Sequence, residues 1–102
     1  MIAAIRENSE ALETLCKRFR VRRLELFGSA ANGEFDPATS DLDFLVEFEE
    51  LDADAYADTY FGLLEELGAL FQRKVDLVMP SAVKNPYFLK SIERSRTLLY
   101  AA

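Results

Sequence analysis

Apolar residues near the start of the chain recur at helical spacing. Ile2, Ile5, Leu12, Leu15, Cys16 and Phe19 fall on one side, with Arg6, Glu7, Glu10, Glu13, Lys17 and Arg18 between them on the other, which predicts an amphipathic first helix. From Arg23 to Phe27 the period changes to two, and Gly28-Ser29 follows at once, the pattern of a strand running into a tight turn. A short helical turn is expected over Ala30 to Asn32, capped by Ser29 and ended by Gly33. Glu34 to Ser40, with Asp36-Pro37 inside it, reads as a loop.

Period two returns between Asp41 and Phe48. Leu42, Phe44, Val46 and Phe48 share one face, and Asp41, Asp43, Leu45 and Glu47 share the other. Tyr56, Tyr60, Leu63, Leu64, Leu67, Leu70 and Phe71 then predict a long helix over Asp52 to Phe71, weakened slightly by Gly62 and Gly68. Lys74 to Met79 reads as a strand closed by Pro80. Asn85-Pro86 has the form of a cap followed by proline in the first helical position, opening a helix through Ser95 that buries Phe88, Leu89 and Ile92. Thr97 to Tyr100 is expected as a last short strand. Strands interleaved with helices imply an α/β or α+β layer, with helices on one sheet face and the other face partly open for chemistry.

Composition narrows the chemistry. A chain of 102 residues, half of them hydrophobic, suits a single domain over residues 1–102 that buries one core. With 12 Lys plus Arg against 18 Asp plus Glu the net charge is -6. The basic residues do not gather, so direct nucleic-acid binding is not expected. One Cys and no His exclude an internal disulfide, the usual zinc ligand sets and histidine-assisted nucleophiles. Carboxylates, hydroxyls or amines must do the work. No apolar run reaches membrane-spanning length and Met1 to Arg20 is unlike a secretory signal, so no membrane association and a cytoplasmic location are expected.

Asp41 and Asp43, two residues apart on one strand, have Cα atoms about 6.5 Å apart and carboxylates that can lean together. Like charges so placed raise a pKa or demand a cation, and oxygen ligands alone select Mg²⁺ or Mn²⁺. Asp76 occupies the polar side of the strand over Lys74 to Met79. If the two strands are neighbours, three carboxylates converge, and such a cluster can hold two ions about 3.5 to 4 Å apart, as in-line phosphoryl displacement requires. Short patterns recur by chance, and capping for Asp41 or a solvated face for Asp43 explains each alone. The companion is the Gly28-Ser29 turn, where a missing side chain lets a ligand approach the backbone N–H groups and a hydroxyl follows. The chain has neither the Lys-Ser/Thr pair of a P-loop nor the spacing of an EF-hand.

Leu26-Phe27-Gly28-Ser29, Ser40-Asp41-Leu42-Asp43-Phe44-Leu45-Val46 and Val75-Asp76-Leu77-Val78 together resemble the minimal nucleotidyltransferases of the DNA polymerase β superfamily. The resemblance implies a small mixed β-sheet flanked by helices. It also implies a nucleotide-binding turn at Gly28 and Ser29, with Ser40 nearby, and two Mg²⁺ ions held by Asp41, Asp43 and Asp76 as catalytic and metal-binding acids. In its stand-alone form the domain is similar to antitoxins whose partner is a HEPN-domain ribonuclease toxin, and which pass AMP from ATP to a tyrosine hydroxyl of that toxin. The family often reads Gly-Ser-x-Ala-Arg-Gly; here Asn32 stands in place of the arginine. Two other readings remain open at this point: an antitoxin that neutralises by binding alone, and an enzyme acting on a small-molecule hydroxyl.

Overall fold

Strands alternate with helices as the periodicity predicts, in a computed structural model that describes residues 3–28, 31 and 41–102. Helices α1 (Ala3–Glu7) and α2 (Ser9–Arg18) lead into strand β1 (Val21–Phe27). Strand β2 (Leu42–Phe48) follows, then a 3₁₀ turn (Ala53–Ala55) continuous with helix α3 (Tyr56–Phe71). Strand β3 (Val75–Val78), a second 3₁₀ turn (Pro80–Ala82), helix α4 (Pro86–Ser95) and strand β4 (Thr97–Ala101) complete the described elements.

Among the described residues the strands form one mixed sheet in the order β3-β2-β1-β4. β1 runs antiparallel to β2 and to β4, while β2 and β3 are parallel. A parallel pair cannot be joined by a hairpin, and α3 supplies the crossover that the geometry demands. One face of the sheet carries the main core. Leu24, Leu26, Leu42, Phe44, Val46 and Leu77 pack there against Leu12 and Cys16 of α2 and Leu63, Leu67 and Phe71 of α3. Phe44 and Phe71 stack with ring centroids 5.9 Å apart. Burial, assisted by the nearby Glu13 charge, pushes the Cys16 thiol up to about 12, so this cysteine is a small core hydrophobe.

Where local structure departs from the periodicity, particular side chains account for it. The first helix is two helices, interrupted at Asn8 (φ −108°, ψ 18°), whose Nδ2 donates to the Ala4 carbonyl at 2.8 Å. A side-chain amide competing for a helix carbonyl in this way favours a break. The long second helix opens as the 3₁₀ turn and ends where Gln72 adopts a left-handed conformation (φ 52°). Gly62 is a packing residue, because a Cβ there would lie 2.7 Å from the Phe19 ring.

The reverse face of the sheet is covered in part by α4, and a second cluster forms there from Phe27, Leu45 and Ile92, with Val78 and Val83 against it. Leu45, on the polar side by parity, is buried for this reason. The Asn85 cap is present, its Oδ1 accepting the backbone N–H groups of Tyr87 at 2.9 Å and Phe88 at 3.4 Å. The burial expected of Phe88 and Leu89 is not observed: they are 41% and 37% exposed, against 3% for Ile92. Helical spacing names an apolar face but not whether the sheet is wide enough to cover it. No described helix is long and apolar enough to cross a membrane.

Candidate active site

The parallel register of β2 and β3 sets Asp43 directly beside Asp76, both on the face that carries α4. Their carboxyl groups approach closely enough that a hydrogen bond between them favours the protonated form of Asp43. Desolvation first, then that bond, then repulsion by Asp76 and by Asp41 push the Asp43 carboxyl up to about 6. A pair of acids competing for one proton, with oxygen as the sole donor type, is a fitting place for a hard divalent cation.

Asp41 is placed differently. It precedes β2, and its Oδ2 lies 3.7 Å from the Lys74 Nζ, while the Leu42 N–H donates to the Lys74 carbonyl at 3.2 Å. Its charge reaches Asp43 as repulsion. Among the described residues no three acid, His or Cys side chains are gathered closely enough to enclose a metal ion. The expected convergence of three carboxylates therefore stands as a register-paired couple, Asp43 and Asp76, with the third acid beside it, its side chain paired to an ammonium.

Gly28 closes the site from β1. Phe27, the residue before it, pairs with Asp43 across the β1–β2 ladder, and Gly28 itself has φ +73°. A Cβ at this position would lie 2.3 Å from Asp43 Oδ2, so only glycine permits both the backbone conformation and the carboxylate. Its N–H, expected to face a ligand, donates to Ser95 Oγ at 3.0 Å. Its carbonyl accepts the Ala31 N–H at 3.1 Å, and the rest of the turn expected over Ala30 to Asn32, with Gly33, lies outside the described residues. Ser29, Ser40 and Asn32 lie outside the described residues, as do Ile2 and the loop expected over Glu34 to Ser40.

A cavity of about 390 Å³ opens beside the acid pair, bounded by Phe27, Asp43, Asp76, Tyr60, Val78 and Phe88. The Tyr60 hydroxyl donates to the Leu77 carbonyl, fixing one wall. Phe88 meets Phe27 edge to face at 6.1 Å and leaves the rest of its ring to solvent. Ser95, Phe88 and Tyr60 were not singled out by sequence for this site. Nothing local to Ser95 marks it, whereas Phe88 and Tyr60 carry only the helical periodicity that reads as core.

Comparison with known proteins identifies the family. Residues 9–99 match the model of the nucleotidyltransferase domain family. The protein adenylyltransferase MntA of Thermococcus cleftensis is 42% identical over 71 residues, covering 70% of this chain and 68% of that protein. Among solved structures, a toxin-antitoxin with AMP-PNP superposes with a TM-score of 0.70 at 20% identity, over 93% of this chain and 74% of that one. A complex of a tri-AMPylated Shewanella oneidensis HEPN toxin with an MNT antitoxin gives 0.65 at 18% identity, over 96% and 73%. At these identities the structures speak for the fold alone. The family match and the identity to MntA go further: the chain belongs to the nucleotidyltransferase domain family.

Proposed function

We propose that this chain transfers AMP from ATP to a hydroxyl group of a partner protein, a HEPN-family ribonuclease toxin, with a tyrosine as acceptor. The observation that carries this reading is the Asp43–Asp76 pair lying against a glycine that cannot bear a side chain. The names of the similar proteins, a protein adenylyltransferase and a complex with an AMPylated HEPN toxin, support a HEPN toxin as the acceptor protein.

In the proposed reaction the acceptor oxygen bonds to the α-phosphorus of ATP, the bond from that phosphorus to the oxygen bridging the β-phosphate breaks, and pyrophosphate leaves. Asp76 assists removal of the hydroxyl proton. Asp41, Asp43 and Asp76 would hold two Mg²⁺ ions, which supply counter-charge to the triphosphate and acidify the acceptor hydroxyl. Gly28 and Ser29 are the nucleotide-binding turn of this reading, and Ser40 is a further nucleotide-binding residue. The open apolar wall at Phe88 offers the acceptor protein a surface beside the acids. A bulky anionic adduct on a ribonuclease repels RNA and so silences it.

The test supplies ATP labelled at the α-phosphate, Mg²⁺ and the protein encoded by the neighbouring gene. Label passes to that protein with the wild-type chain and not with Asp43→Asn or Asp76→Asn. Absence of transfer by the wild type overturns the reading, and neutralisation of the toxin that survives both substitutions assigns it to binding alone.

A further inference from the structure

The carboxyl-terminal end of α4 is fastened to β1 at two successive residues. Ser95 Oγ accepts the Gly28 N–H at 3.0 Å across 67 positions of sequence. Arg96 then clamps Glu25, Nε donating to Oε2 at 2.8 Å and Nη2 to Oε1 at 2.6 Å. Arg23 Nε adds a third bond to Oε1 at 3.0 Å. Glu25 is 4% exposed, and a buried carboxylate held by a two-pronged guanidinium is among the more rigid polar joints a protein makes. The joint fixes residue 96 relative to β1, and the hydroxyl one residue earlier meets the peptide that enters Gly28.

We propose that Ser95 is a positioning residue for the nucleotide-binding turn, anchored by the Arg96–Glu25 pair. Gly28 sits so close to Asp43 that a methyl group cannot be inserted between them. Rotation of the Gly28 peptide therefore changes the space between the turn and the acid pair. Ser95 resists that rotation from an element far along the chain, through its hydrogen bond to the Gly28 N–H. This role rests on the nucleotidyl-transfer reading, and it assigns to the α4–β4 junction control of nucleotide affinity rather than of the chemical step.

Two measurements on the full-length chain test it. The first is hydrogen exchange at the Gly28 amide without nucleotide, read by NMR. Ser95→Ala is expected to speed exchange there while leaving core amides of β2 protected, and Ser95→Thr, which keeps a hydroxyl, restores protection. The second is steady-state transfer, with binding of a non-hydrolysable ATP analogue plus Mg²⁺ measured in parallel. Loss of one hydrogen bond of ordinary net strength predicts roughly a two- to tenfold rise in KM for ATP and in the analogue's Kd, with kcat little changed. Unchanged exchange at Gly28, unchanged affinity in a wild type that binds the analogue, or a kcat loss with KM intact each overturns the assignment. A wild type that binds no analogue instead overturns the nucleotidyl-transfer reading and this role with it, so the two failures are told apart.

Discussion

Asp43 and Asp76 stand opposite one another across the parallel β2–β3 ladder, and Asp76 favours the protonated form of the Asp43 carboxyl. The arrangement costs stability whenever both acids ionise without a cation. The Asp43 carboxyl titrates near 6 in the folded chain, above the value of about 3.9 for an unfolded aspartate. Over that interval the folded state binds more protons, so the pair's contribution falls as pH rises and the penalty is complete above pH 6. Asp43→Asn is therefore expected to raise the melting temperature of the metal-free chain at pH 7.5, with the gain shrinking as pH falls from 6 toward 4. The same substitution abolishes label transfer. A variant no more stable than the wild type at pH 7.5 contradicts the desolvation and repulsion assigned to Asp43.

Mg²⁺ should act on the wild type in the same direction as that substitution. Addition of Mg²⁺ with ATP is expected to raise the melting temperature by mass action, because ligand binds the folded chain alone. Asp43→Asn and Asp76→Asn should blunt the shift. Equal shifts in all three chains would place the ion elsewhere.

Gly28→Ala tests the close approach of the turn to the acid. Left-handed backbone costs a residue with a side chain about 1–2 kcal/mol, and the added methyl group meets Asp43 Oδ2 at 2.3 Å. The expected result is a folded protein with a lower melting temperature and transfer reduced by at least about tenfold, since a displacement of about 1 Å at a reacting centre has large kinetic effects. Wild-type transfer by this variant would show that the carboxylate has room to move.

Arg96→Ala removes two of the three bonds to the buried Glu25. Leaving a buried charge without its main partner costs about 3 kcal/mol in comparable cases, which urea unfolding will register as a lower midpoint at unchanged slope. The Arg96 hydrogen bond chiefly holds the Glu25 carboxyl below its ordinary range. That stabilisation is present above the unfolded glutamate pKa and is lost as pH falls through the lowered folded value. The gap between wild type and Arg96→Ala should accordingly close in acid. A gap that stays constant down to pH 2 would mean that packing of the Arg96 stem, not its charge, stabilises the junction.

Phe88 presents apolar surface at the edge of the cavity and is 41% exposed. If the acceptor is a protein, an aromatic at that edge carries a disproportionate share of the contact energy. Phe88→Ala is expected to raise KM for the partner roughly five- to thirtyfold, the equivalent of about 1–2 kcal/mol, and to leave ATP affinity within about twofold. Equal losses toward partner and nucleotide would move Phe88 from the docking surface into the nucleotide pocket.

Much of this architecture is written in local pattern. Alternation through Leu42 to Phe48 and Val75 to Val78 gave both strands their buried and polar sides, and Asn85-Pro86 marked the start of α4. The neighbouring positions of Asp43 and Asp76 depend on which strands pair and in which register, which no single stretch encodes. Ser95 and Gly28 are joined by a contact 67 residues long in sequence, beyond the reach of any periodicity. Glu25 lies within a correctly expected strand, yet its burial depends on Arg96 arriving from the far end of the chain. The exposure of Phe88 and Leu89 reflects the narrow area that a helix can cover on the reverse face, a quantity fixed by the assembled sheet.

The hydroxyl of Tyr60 on the Leu77 carbonyl has a consequence away from catalysis. β3 lies at one margin of the sheet, where unmet backbone groups invite strands of other molecules to add on. This strand is short, its carbonyl at Leu77 is already engaged by a phenol, and Pro80 follows it closely. Copies of the chain crowded together thus find fewer free groups there on which to template fibril growth.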